Sequence, residues 1–199
     1  MPPFPHLSNW RRNLEINLVN WKRERGTFCE NNGVWNHFAV RGHPREEEKW
    51  SRAQLMTDDY NLQRFLDAQN QVYDAVLDEL RAGEKSSHWI WFIFPQITGL
   101  GHSGMAEKFA ITSLEEAKAY LQHPVLGPRL RKCTQLVLNV NGHSAEQIFG
   151  YPDNLKFRSC LTLFMTATTD NKVFKDALLK YFEGKPDTLT LDILALAGS

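Results

Sequence analysis

From Leu62 to Phe182 the apolar side chains recur at steps of three and four, and this spacing constrains the fold more than any other feature. The stretch DDYNLQRFLDAQNQVYDAVLDELRAG sets Leu62, Phe65, Leu66, Val72, Tyr73, Val76, Leu77 and Leu80 on one helical stripe. Asp58 or Asp59 is placed to cap its start and Gly83 to close its end. SLEEAKAYLQHP opens with Ser113 and Glu116 at the spacing of a capping box and stops at Pro124. VLGPRLRKCTQLVLNVNG carries Leu126, Leu130, Cys133, Val137 and Val140 along one face, and SAEQIFG repeats the capping-box signature with Ser144 and Gln147. DNLKFRSCLTLFMTAT and NKVFKDALLKYFEG continue the helical spacing, and DTLTLDILAL is a short terminal segment. The expected fold class is all-α: a compact bundle of about six helices over residues 58–199.

The run SHWIWFIFPQ, residues 87–96, is the one ambiguous element. Its aromatic and β-branched content favours a buried strand. No other segment of the chain reads clearly as a strand, so such a strand would leave its backbone donors and acceptors without partners. A short helix capped by Ser86 or Ser87 and ended before Pro95 removes that difficulty, and helix is the expectation.

Residues 1–57 differ in kind. They hold four of the six tryptophans but no sustained period, apart from a short helical spacing through Leu14, Leu18 and Trp21. They read as an N-terminal extension, partly disordered or loosely docked, or as an arm that binds a protein partner through its tryptophans. Over the whole chain 42% of residues are hydrophobic, 23% are charged and the formal net charge is zero. A packed core is expected, a nucleic-acid partner is not, and the longest apolar run is too short to span a membrane. The N-terminus lacks the order of a secretory signal. The three cysteines, Cys29, Cys133 and Cys160, have no close spacing, which fits a reduced, cytoplasmic setting with Cys133 and Cys160 as small apolar core residues. No histidine or cysteine pattern supports a metal site, and no cofactor is expected.

Candidate chemistry is sparse. Gly99-Leu-Gly101-His-Ser-Gly104 matches G-x-G-x-x-G, but Pro95 separates it from the apolar run and a capped helix follows where a second strand would be needed, so it is not read as a dinucleotide fingerprint. The glycines serve either a tight connection or an anion approach with MAEKFA as the helix behind it. His88 adjoins the aromatic run and His123 is expected beside the last carbonyls of a helix. Lys156 and Arg158 follow Asp153 at the start of an apolar helix, either as solvated charge or as an anion site. ELRAGE and LEEAKA read as solvated helix faces.

The motifs SHWIWFIFPQ, GLGHS, YLQHPVLGPRL, IFGYPDNLKFRSCLTLF and YFEGKPDTLTLDIL occur in the same order in a family of small bacterial and fungal proteins that this chain resembles from about Asp58 to Leu194. It is a domain of unknown function that often carries the label calpastatin. The resemblance implies a compact all-α domain with a central helix. The label does not suit a compact, aperiodic chain, because a calpain inhibitor of that kind is long, disordered and repetitive. The family usually has two serines where this chain has Ser159-Cys160. A fainter likeness, in the layout P-x-L-x-x-x-L followed by G-x-S-x-x-I-x-x-x-x-x-D, is to the NADAR-type helical N-glycosidases, which act on ADP-ribose derivatives.

Within the matching motifs, His88, Trp89, Trp91, Gln96, Gly99, Gly101, Arg129, Asp153, Lys156 and Ser159 are the candidate ligand-binding residues. Aromatic walls with a few convergent polar groups suit a small, anionic, partly planar ligand of nucleotide type. An N-glycosidase-like hydrolase and a protein-interaction module are the alternatives, and no catalytic residue is assigned.

Overall fold

The computed structural model describes residues 60–197. The N-terminal extension, the Leu14–Trp21 spacing, Cys29 and the caps expected at Asp58 or Asp59 lie outside the described residues. Among the described residues there are ten helices: α1 (Gln63–Asn70), α2 (Tyr73–Ala82), α3 (Ile90–Ile93), α4 (Gly104–Lys108), α5 (Leu114–Gln122), α6 (Leu126–Asn139), α7 (Ala145–Phe149), α8 (Asp153–Ala167), α9 (Lys172–Phe182) and α10 (Thr188–Ala197). The all-α expectation holds, with short helices filling the connections of the six-helix estimate. Among the described residues no helix is long and apolar enough to cross a membrane.

α8 is the central helix. It buries Phe157 and every residue from Ser159 to Phe164, so it is covered all round, and it packs against α3, α5, α7, α9 and α10. Its hydroxyls are satisfied internally: Ser159, Thr162 and Thr166 donate to the carbonyls of Leu155, Arg158 and Thr162. Phe157 joins Phe94 and Phe149 at ring separations of 4.8 and 4.7 Å, which ties α3 and α7 to α8. Cys133 and Cys160 are free and buried, as their helical spacing suggested.

Several local expectations change. The first helical stretch is two helices, broken at Gln71–Val72, although its apolar stripe continues across the break. The aromatic run does form a short helix that ends before Pro95, but neither serine caps it. The amides of Ser86 and Ser87 and the Ser87 hydroxyl bind Glu79 instead. Beyond Pro95 an isolated parallel bridge pairs Ile97 with Ile111, which satisfies backbone groups that helix α3 is too short to reach. Ser144 and Gln147 complete a full capping box. Ser113 caps α5, but the Glu116 carboxylate turns to the amide and hydroxyl of Thr112 and to Arg64. His123 ends α5 as expected, yet its Nδ1 accepts from the amides of Val125 and Leu126 and so caps the start of α6.

Candidate functional site

The start of α8 and the loop before α3 meet at a corner built on charge. Asp153, at the first position of α8, lies where a carboxylate complements the helix dipole. It pairs with Lys156 one turn on at 2.6 Å and with Lys85 at 2.8 Å. Lys85 is only 9% exposed and Asp153 15%, so the triad is largely withdrawn from water. Burial pushes the Asp153 carboxyl up, but the hydrogen bonds and charges of Lys156 and Lys85 outweigh it and hold it below its ordinary value. Two ammonium groups around one carboxylate leave a net positive charge. The Lys156 ammonium lies 4.6 Å from the centre of the Trp91 ring, and that of Lys85 lies 5.5 Å from the Trp89 ring.

The loop from Lys85 to Trp89 is held by Glu79. Its carboxylate accepts from the Ser86 and Ser87 amides, from the Ser87 hydroxyl and, at 2.7 Å, from the Trp89 indole. Burial raises its pKa, but these donors outweigh that effect and bring it down to about 2. Two polar atoms near the corner are left without partners: the Trp91 indole nitrogen and the side-chain oxygen of Asn154, both buried. An indole N–H only donates, so the Trp91 nitrogen calls for an acceptor.

The sequence-based candidates divide. Trp91, Asp153 and Lys156 come together. Trp89 is 1% exposed and packs on Phe94 and Phe149, so it is core and offers no open face. Ser159 is buried and its hydroxyl is spent on Leu155. His88 is exposed. Gln96 contributes its carbonyl to the bridge at Ile111. Gly99 has a φ of 93°, and at Gly101 a Cβ would come within 2.7 Å of the Ala106 side chain, so both glycines serve the turn and its packing. The five-residue helix α4 behind them is capped by Ser103. Arg129 stands in a different neighbourhood, bonded to Gln69 and stacked on Tyr73.

Sequence reasoning missed Lys85, Glu79, Asn154 and Gln69. Lys85 and Asn154 adjoin motif residues and were open to inspection; Glu79 and Glu116 were read as solvated faces. Glu116 is instead 1% exposed and paired with Arg64 at 2.7 Å. Lys156 and Arg158 are not free solvated charges either: Arg158 donates to the carbonyls of Lys185 and Pro186.

Three open clefts on the described residues lie away from the corner. One of them, about 510 Å³, is lined by Phe92, Phe109, Met105, Arg64, Asp67 and Lys108 among others. Arg64 is a clamp there. Its five N–H groups reach the carbonyls of Lys108, Tyr60, Asn61 and Ala110 and the Glu116 carboxylate, which leaves none for a ligand. Among the described residues no group of three His, Cys, Asp or Glu side chains is placed to hold a metal ion.

Residues 59–194 match the model of a family described as a protein of unknown function, DUF1810. The chain belongs to that family. A search of the solved structures finds the conserved hypothetical protein Rv1873 from Mycobacterium tuberculosis, 53% identical, with a TM-score of 0.68 over 69% of this chain and 98% of that one. Comparison with curated proteins gives no match. The resemblance seen from Asp58 to Leu194 thus coincides with the family's extent, and neither description carries the word calpastatin.

Proposed function

We propose that this DUF1810 domain binds a small anionic ligand with a flat ring, of nucleotide type, at the corner of Lys85, Trp91, Asp153 and Lys156. The observation that carries this reading is the Trp91 indole nitrogen, buried without an acceptor beside the Lys156 ammonium. An orphaned buried donor costs about 1–3 kcal/mol, and a ligand oxygen placed between it and the ammonium removes that cost. Asp153 fixes both lysines, so the cationic side of the corner is set before the ligand arrives. The reading stops at binding. Asp153 and Glu79 are both held ionised at neutral pH, so neither is a proton donor for cleavage of a glycosidic bond.

Calorimetric titration of the full chain with AMP, ADP-ribose and ribose 5-phosphate tests it. Binding of at least one is expected, weakened about tenfold to a hundredfold in Lys156→Met and in Trp91→Phe, which each remove one charge-assisted or buried hydrogen bond. Equal affinity in wild type and both variants would place the ligand elsewhere.

A further inference from the structure

Arg129 differs from every other arginine of the described residues. Arg64 uses all its donors on carbonyls and Glu116. Arg131 reaches the Asp170 carboxylate and backbone. Arg158 reaches two carbonyls, and Arg81, on the surface, pairs with Asp78. Arg129 is half-buried on α6, and its one hydrogen bond among the described residues is a long one, 3.3 Å to the Gln69 side-chain oxygen. It has no carboxylate within ion-pair distance there, and Asp74, the acid nearest to Tyr73 in sequence, is exposed and makes no pair with it.

What surrounds the guanidinium adds donors rather than negative charge. It lies 4.4 Å over the Tyr73 ring, and the Tyr73 hydroxyl is buried without an oxygen or nitrogen partner. The neighbouring Cys133 thiol is pushed up to about 12 by burial, so it is neutral. Burial likewise raises the Tyr73 phenol, which keeps its proton. His123 is held low by burial and then by Arg129, and because its Nδ1 accepts two amides its ring proton sits on Nε2. Gln69, 1% exposed, positions the arginine. Its oxygen accepts from Arg129, and its nitrogen donates to the Phe92 carbonyl and the Tyr120 hydroxyl at 2.8 and 3.0 Å.

We propose that Arg129 and Tyr73 form an oxyanion-binding site between α2 and α6, taking the phosphate or carboxylate group of a small molecule. A guanidinium with unused fork donors beside a phenol whose one partner is the Cys133 thiol, a weak acceptor, fits such a group. The site stands on its own residues and does not rest on the Trp91–Lys156 corner.

Thermal denaturation of the full chain at constant ionic strength, with inorganic phosphate and with succinate, tests it. One or both anions raise the wild-type midpoint by about 5 °C when present at a hundred times the dissociation constant. Phosphate alone or succinate alone identifies which oxyanion is taken. Lys156→Met keeps the rise, Arg129→Met loses it, and Tyr73→Phe and Arg129→Lys show a smaller one, because each removes one donor group while sparing the rest. The last two variants carry the test should Arg129→Met not fold. No rise with either anion, or a full wild-type rise in Arg129→Met, Tyr73→Phe or Arg129→Lys, overturns the proposal.

Discussion

Glu79 accepts four hydrogen bonds from the loop that leads into α3, so its charge and that loop's conformation are one quantity. Its carboxyl titrates at about 2 in the fold against an ordinary 4.5. A depressed carboxyl favours the folded state above the ordinary value, and that contribution is lost as pH falls from 4.5 towards 2. Denaturation of wild type and Glu79→Gln should therefore differ by about 1–2 kcal/mol at neutral pH, after allowance for solvent screening. The difference should shrink steadily below pH 4.5. Asp153 adds a loss of the same sign on the acid side. Tyr73→Phe tests the opposite situation. It removes a buried hydroxyl that has no oxygen or nitrogen partner, so stability without ligand should be unchanged or raised by up to about 1 kcal/mol. None of these roles was legible locally. Glu79 looks like any helix-surface acid until Trp89 is brought to it, and Glu116 until Arg64, 52 residues away, is placed against it.

At the level of elements, the three-and-four spacing and the cap residues located the longer helices. Gly83 and the Ser144–Gln147 box terminate and start helices as their chemistry dictates. Ser144→Ala should cost about 1 kcal/mol in urea denaturation. The break at Gln71–Val72 was not legible, because the same apolar stripe serves one helix or two. The aromatic run was settled by counting possible strand partners rather than by its own propensity, and that argument gave the helix but not its length or its uncapped start. The α5–α6 corner depends on a close approach that no pattern announces: a Cβ on Gly127 would stand 2.1 Å from the Leu121 carbonyl oxygen. Gly127→Ala must open that corner, and a loss of about 3 kcal/mol is expected in the same assay.

Over the whole described domain, α8 is the element that everything else covers, and Phe157 is its keystone, in contact with the rings of Phe94, Phe149, Tyr181 and Phe182. Phe157→Ala should cost about 3–5 kcal/mol and lower the single unfolding midpoint rather than split it. Cys160→Ser should be far milder, because a serine in α8 can bond the carbonyl four residues back as Ser159 does. The all-helical class was legible in the three-and-four spacing and the caps, whereas the central helix was implied only by the family resemblance, since spacing alone does not say which helix the others cover. The candidate site was legible only in part. Trp91, Asp153 and Lys156 meet, but Trp89 and Ser159 are core, and Arg129 belongs to the Gln69–Tyr73 group. Motif membership cannot separate residues that pack from residues that face a ligand, since both are equally fixed by the fold. The most direct measurement of the binding claim is the ¹⁵N-indole spectrum of tryptophan-labelled full chain, titrated with AMP, ADP-ribose and ribose 5-phosphate in turn. The Trp91 signal, assigned by its loss in Trp91→Phe, should move as its N–H gains an acceptor, while Trp89, already bonded to Glu79, stays in place. A Trp91 signal that does not move with any of the three would contradict the account.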